Sequence, residues 1–482
     1  MQPGTATESL RTGSRRPDPA PQAEPSSFRD PAGQVIEGPD GRVFRSVAPA
    51  VVEEYRHVRS CGAVEALIVE GGLVAAEEVD PAEAGVLPPP GGLVLEHPRL
   101  PFISYPYEWP FSLLKAAALM HLEMQIRLFD RGISLSDASA YNVQFQGARP
   151  VFIDWLSMRR YREGEYWQGH NQFGEQFLNP LLLSAKLGTP HNAWYRGMQE
   201  GIPGRELAAL LPRRMRWSAR MQAHLLLPLR FERGAGSRGE AAKRTAKRPL
   251  PRGAYRGLLT QLRKWIQGLE PRGTSTTWSD YSSASSYDSS EASRKAEAVR
   301  AFVAAAKPEQ LWDLGCNTGE FAAIAIEAGA GDVIGFDSDF GALESACERA
   351  RTDRLRFLPL YQDLANPSPD QGWGQAERRS LTARSRSADA LMALAVVHHL
   401  AIGRNVPLPR IAAWLVSLAP RGLVEFVPRG DRRVDDLLTL RGDRFADYVP
   451  EAWEAALEPY AAIRNVETVS ASGRRLYTYE RR

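Results

Sequence analysis

The chain has 482 residues, a hydrophobic content of 43% and a formal net charge of only +3. That length exceeds one ordinary core and predicts two domains joined by linkers. So small a net charge sets up no global field for nucleic acid, and no basic groove pattern accompanies the motifs below. Cys61, Cys316 and Cys347 stand far apart, with no C-x-x-C pair. Such spacing excludes a disulfide framework and a cysteine-rich zinc site, and it fits a reducing cytosol. No run of about 18 apolar residues is available to span a membrane. The arginines near the N-terminus are followed by no apolar core of a secretion signal. The expectation is a cytoplasmic protein with no metal site, no membrane partner and no nucleic-acid partner.

Residues 1–40 are rich in Pro, Ser, Gly, Arg and Ala with little apolar periodicity, and read as a disordered leader. Residues 41–230 alternate apolar stretches with turn signals and read as a folded α+β domain. Within them, Leu113–Arg131 has helical period and Tyr105–Trp109 reads as extended. Between Ile133 and Trp155, Asp137 is followed five residues later by Asn142 and twelve further on by Asp154, at a strand end. Phosphotransfer needs such a set, one carboxylate to orient a hydroxyl and an Asn and an Asp to hold magnesium.

That stretch resembles the catalytic loop and metal-binding Asp of kinase-like phosphotransferases, the aminoglycoside and small-molecule kinases in particular. The chain departs from that pattern in three places. Leu135 and Ser136 replace the His usually found ahead of the catalytic Asp, no glycine-rich phosphate loop precedes, and the first lysine is Lys115. The resemblance therefore implies a kinase-like scaffold, without activity, that binds substrate or a partner. Two alternatives stay open: an atypical phosphotransferase using Asp137, Asn142 and Asp154, or an accident in which Asp137 caps a helix and Asp154 is a turn acid.

Residues 231–275 combine a basic, Gly/Pro-punctuated linker with an amphipathic helix over 254–268. No aromatic residues interleave the linker's Lys and Arg, which favours a solvated connector over a phosphate-binding patch. Trp278, Tyr281 and Tyr287 then precede the first helix of the last domain, 276–482, as an expected aromatic lid. Helices are expected over Ala292–Ala306, Gly319–Ala328 and Phe340–Ala350. Strands are expected over Leu311–Leu314, Val333–Phe336, Leu355–Leu360, Ala390–Val396 and Leu423–Phe426, with Tyr477–Glu480 as an edge strand. This alternation indicates a doubly wound, mostly parallel α/β sheet.

Ligands of such a sheet sit at the carboxyl ends of the strands. After the first strand comes Asp313-Leu314-Gly315-Cys316-Asn317-Thr318-Gly319, after the second Asp337-Ser338, and after the third Gln362-Asp363. The glycines let a ligand approach the backbone, and three acids without a basic counterpart favour a cationic nucleoside over a pyrophosphate. Taken singly, Asp337 or Asp339 could cap a helix and Asp363 could fill a turn. A nicotinamide-binding loop would carry glycines where Asn317 and Glu320 stand.

In these residues the chain resembles class I S-adenosylmethionine-dependent methyltransferases. The resemblance covers roughly residues 276–480 and implies a Rossmann-like fold with S-adenosyl-L-methionine as methyl donor. By position, Asp313 would hold the ammonium of the methionine end. Gly315, Cys316, Asn317 and Gly319 would line the donor, Asp337 and Ser338 would meet the ribose, and Gln362 and Asp363 the adenine. Asn317 stands where many members have glycine. After the fourth strand, His398 and His399 are candidates for the base that takes the acceptor's proton, or else packed helix residues. No N/D-P-P-Y/F signature follows that strand, which tilts the expectation toward an oxygen or carbon acceptor on a small molecule or biosynthetic intermediate. The domain order also resembles bacterial methyltransferases labelled as nodulation host-specificity proteins, which would imply a glycan acceptor, with a secondary metabolite as the other possibility. A non-catalytic adaptor made of two degenerate domains is the remaining alternative.

Overall fold

The computed structural model describes residues 21–234, 250–273, 289–442 and 444–482. Half of the expected leader, residues 235–249 of the linker, and the lid aromatics Trp278, Tyr281 and Tyr287 lie outside the described residues. Two compact units emerge. One runs to Val52 and includes Ala75–Arg99, and the other comprises Glu53–Val74 with Leu100–Arg482.

The first unit is an antiparallel sheet of β1 (Gln22–Ala23), β2 (Val35–Glu37), β3 (Val43–Val47), β4 (Glu77–Val79) and β5 (Leu93–His97), in the order β1-β2-β3-β5-β4. Phe44 and Val94 centre its small apolar core with Ala84 and Val86. Arg45 on β3 is nearly buried and is held by the carboxylate of Asp30.

In the second unit the helix Phe111–Asp130 is apolar over most of its circumference, with Leu113, Leu114, Ala117, Ala118, Leu122 and Ile126 buried. A helix enclosed on several sides needs that pattern. Ahead of it, Tyr105 and Trp109 are extended as expected, but Pro106–Glu108 closes into a 3-10 turn. The proline presets the turn, and Glu108 accepts the Tyr105 amide at 3.0 Å. Two short antiparallel pairs follow, β6 (Ile133–Leu135) with β9 (Met158–Arg160), and β7 (Val143–Gln146) with β8 (Arg149–Phe152).

The C-terminal part is a seven-stranded α/β sheet. Its strands are β10 (Gln310–Leu314), β11 (Asp332–Asp337), β12 (Phe357–Tyr361), β13 (Ala390–Ala393), β14 (Arg421–Phe426), β15 (Ala461–Thr468) and β16 (Arg475–Arg481). The order is β12-β11-β10-β13-β14-β16-β15, with the first five parallel and the last two antiparallel. This is the doubly wound, mostly parallel α/β sheet that the alternation of strands and helices predicts. Strands buried on both faces read as unbroken apolar runs, which is why β10 to β14 were predictable.

Two elements differ from expectation. Tyr477–Glu480 is not at the edge: β16 pairs with β14 on one side and β15 on the other. The edge is β15, whose exposed Arg464, Asn465, Glu467 and Thr468 break the apolar pattern. The fourth strand stops at Ala393 rather than Val396, because Ala395 takes a left-handed conformation with φ +56°.

Residues 101–112 lie against this sheet inside the same unit. The Phe102 ring packs edge-on against Trp312 of β10 and Phe336 of β11, at 5.8 and 6.1 Å. Fully buried Glu108 pairs with buried Arg384, which also donates to the Ile103 carbonyl at 2.8 Å. Removing one member of such a pair would strand a charge in the interior, at a cost of about 3–5 kcal/mol. Among the described residues, no helix is long and apolar enough to cross a membrane.

Candidate active site

The turn after β10 is built from three left-handed residues, Gly315 (φ +77°), Asn317 (φ +48°) and Gly319 (φ +76°). A Cβ at Gly315 would sit 2.7 Å from a Val396 methyl, and one at Gly319 would sit 2.4 Å from the Phe357 ring. Asn317 adopts the same conformation with a side chain, and its Oδ1 repays the strain by accepting the Thr318 amide at 2.7 Å. The Gly315 and Cys316 amides both donate to the Phe336 carbonyl, at 2.7 and 3.1 Å. The turn is thereby clamped to the end of β11.

Asp337 completes the clamp. Its Oδ2 accepts the Asn317 amide and its Oδ1 the Asp339 amide, both at 2.9 Å. Burial raises its pKa, while these amide hydrogen bonds work in the opposite direction. The capping role belongs to its neighbour: Asp339 accepts the Ala342 amide at 2.9 Å and starts the helix Phe340–Thr352. Ser338 is exposed beside it.

Asp313 is 2% exposed, and its Oδ2 has no hydrogen-bond partner. Desolvation, then the charge of Asp337, pushes its pKa up to about 7. A buried carboxylate with an unused oxygen is a candidate for a cationic ligand. Cys316 is buried and packs toward Gly335, and burial raises its thiol pKa.

After β12, buried Gln362 donates its amide to the Asp337 carbonyl at 2.7 Å, and its Oε1 accepts from Ser368 Oγ at 3.1 Å. Half-buried Asp363 closes a turn, with Oδ1 accepting the Ala365 amide at 2.9 Å and Oδ2 lying 3.8 Å from Arg404. Phe340 and Tyr361 stack beside this edge at 4.7 Å, with rings inclined by 9°. Neither aromatic residue was singled out in the sequence. Their only signal was a ring three residues beyond the second strand and another at the end of the third.

His398 and His399 begin a π-helical turn beyond β13, with ring centroids 4.1 Å apart. His398 is fully buried, and neither ring nitrogen has a hydrogen-bond partner. Its pKa is held well below the usual histidine range by burial first, then by His399 and the cations Arg474, Arg433 and Lys295. Half-buried His399 is lowered to about 4, by burial and by Arg433.

Beside them lies a buried ionic cluster that the sequence reading missed. Lys295 Nζ is 2.7 Å from Glu425 and 3.4 Å from Glu291, while Arg474 reaches Asp431 at 2.7 Å and Glu425 at 3.5 Å. Glu425 is fully buried and keeps Oε2 unpartnered. The available signal was a glutamate inside the apolar run Leu423-Val424-Glu425-Phe426-Val427.

In the N-terminal half, Asn142 Nδ2 donates to Asp137 Oδ2 at 2.9 Å and to Asp154 Oδ2 at 3.3 Å, so the three residues meet. Burial, then the charge of Asp154, raises the pKa of Asp137.

No protein-family model matches the chain. It is 44% identical over 465 residues to nodulation protein NoeA of Rhizobium meliloti strain 1021, an alignment covering 96% of this chain and 97% of that one. The chain belongs to the NoeA family. Among solved structures, the N-methyltransferase NodS of Bradyrhizobium japonicum WM9 is 13% identical, with a TM-score of 0.30 over 40% of this chain and 98% of NodS. WbdD is 12% identical with a TM-score of 0.29, and the match spans 42% of each chain.

The protonation of Asp313 yields a stability prediction. The folded protein holds a proton that the unfolded chain releases near the ordinary aspartate pKa, so this residue costs stability as pH rises from about 4 to about 7. Asp313→Asn should therefore raise the melting temperature at about pH 8, with a gain of up to about 4 kcal/mol, and leave it nearly unchanged at about pH 4. Melting curves of the two proteins across that range should diverge with pH, and parallel curves would contradict the assignment.

Proposed function

We propose that this NoeA-family protein transfers a methyl group from S-adenosylmethionine to a hydroxyl or carbon of a small-molecule acceptor. The observation that carries this reading is the buried carboxylate of Asp313, with Oδ2 unpartnered, beside a sharp turn of left-handed residues at the carboxyl end of β10. S-adenosylmethionine supplies an electrophilic methyl group on a positively charged sulfur. The residues present fit it. Asp313 would pair with the ammonium of the methionine end, an interaction strengthened by exclusion of water. Gly315, Asn317 and Gly319 would let the backbone approach, with Cys316 packed behind.

Asp337 would accept from the ribose hydroxyls, since each of its oxygens uses one lone pair on a backbone amide and retains another. Ser338 would lie beside the ribose, and Gln362 and Asp363 on the adenine side. His398, kept neutral by burial and neighbouring cations, would take the acceptor's proton at neutral pH, and His399 would orient it. The acceptor is proposed to be a small molecule, a glycan or a secondary metabolite, serving the nodulation that names the relative. The protein is proposed to work in the cytoplasm.

Calorimetry with S-adenosylhomocysteine tests the reading. The chain should bind it in the micromolar range, and Asp337→Ala should weaken binding about 100-fold through two lost charge-assisted hydrogen bonds. No heat of binding at millimolar ligand would sink the proposal.

A second reading rests on the meeting of Asp137, Asn142 and Asp154. We propose a kinase-like scaffold without phosphotransfer, because no lysine precedes Lys115 to grip phosphates. Magnesium-ATP should leave the melting temperature unmoved. A magnesium-dependent stabilisation that disappears in Asp154→Ala, together with release of ADP, would instead identify a phosphotransferase.

A further inference from the structure

The loop that follows β12, residues 362–379, is held by residues of the N-terminal half that belong to the same compact unit. Arg196 donates to the carbonyls of Asn366 and Pro367 at 3.1 and 3.2 Å, and Gln371 Nε2 donates to the Arg196 carbonyl at 3.2 Å. The Arg379 amide donates to the Tyr105 hydroxyl at 2.7 Å. The guanidinium of nearly buried Arg378 lies 5.7 Å from the Tyr141 ring centroid. Inside the loop, Gln371 and Arg378 exchange two backbone hydrogen bonds, and Ser368 holds Gln362. A restraint on residues 366–379 therefore reaches Gln362 and Asp363.

The anchors are themselves fixed. Asn192, on the short helix carrying Arg196, donates to the carbonyls of Tyr107 and Trp109, both at 2.9 Å. Gln176 Oε1 accepts from the Ala140 amide at 2.7 Å and from the hydroxyl of fully buried Tyr195 at 3.5 Å. The turn bearing Tyr141 and Asn142 is thus tied to the helix that grips the loop.

We infer that Arg196, Tyr105 and Tyr141 are positioning residues that preorganise the adenine side of the donor site, so that the N-terminal half sets the affinity for the nucleoside. This rests on the methyl-donor reading. A loop already ordered costs less entropy when a ligand closes on it. The N-terminal half then has a role in methyl transfer that needs no phosphotransfer of its own.

The test uses the full chain with Arg196→Ala and with Tyr105→Phe, the latter removing only the hydroxyl that accepts the Arg379 amide. Dissociation constants for S-adenosylhomocysteine and for adenosine are measured by calorimetry. Amide hydrogen exchange is followed without ligand over residues 363–379 and 314–320. Both ligands should weaken together, by about 5- to 50-fold, with faster exchange in 363–379 and unchanged exchange in 314–320. Unchanged exchange in 363–379, or faster exchange with unchanged affinity, overturns the inference. Failure of the unaltered chain to bind either ligand overturns the methyl-donor reading itself.

Discussion

A carboxylate sealed from water with one oxygen unused is the constraint on which the candidate site at the end of the parallel sheet depends. Asp313 sits in the middle strand of the five parallel ones, where solvation is lost and, among the described residues, no ion pair replaces it. Such a group is tolerated only if it keeps its proton or meets a cation. The proposed function takes the second outcome. Three left-handed residues turn the chain sharply after β10, and the early end of β13 at Ala393 lets Val396 close over the turn.

The two central acids are chemically identical and differ only in environment. Asp337 spends one lone pair of each oxygen on a backbone amide, which draws its pKa back against the effect of burial and locks the second strand to the glycine turn. Asp313 has no such support, and burial dominates. On the proposed reading these environments suit the two carboxylates to different partners, a charge for one and hydroxyls for the other. Lys295, Glu425, Arg474 and Asp431 tie the helix Ser289–Ala306, the end of β14 and the β15–β16 turn together beside His398. Buried ionic clusters seldom add stability over apolar packing, so their use here is geometric: they hold that end of the sheet in one arrangement.

Much of this domain was legible because parallel strands announce themselves. Leu311–Leu314, Val333–Phe336 and Leu423–Phe426 are apolar runs bounded by turns, and the D-x-G-x-x-x-G spacing at Asp313 falls where a ligand crevice opens. The misses have physical causes. An edge strand such as β15 faces water on one side and carries the charges of a loop. The premature end of β13 depends on one left-handed alanine, which alanine's composition cannot signal. Asp363 follows the third strand as the pattern requires, yet its oxygens turn to Ala365 and Arg404.

What sequence order could not reveal was contact across long separations. Glu108 with Arg384, Ser112 with Glu344 and Arg196 with Pro367 join residues more than a hundred positions apart. None has a local signature, since a buried Glu108 and an exposed glutamate read alike in a string of letters. These pairs make residues 100–230 part of the support of the sheet.

On the proposed function, Asp313 is the counter-ion of the donor's ammonium group. Proton release on binding measures it most directly. If Asp313 titrates at about 7 in the free protein, binding S-adenosylhomocysteine should expel close to one proton at about pH 6, about half a proton at about pH 7, and almost none at about pH 8.5. Calorimetry in two buffers of different ionisation enthalpy yields these numbers. Proton release that is absent in the unaltered chain, or that persists in Asp313→Asn, would contradict the account.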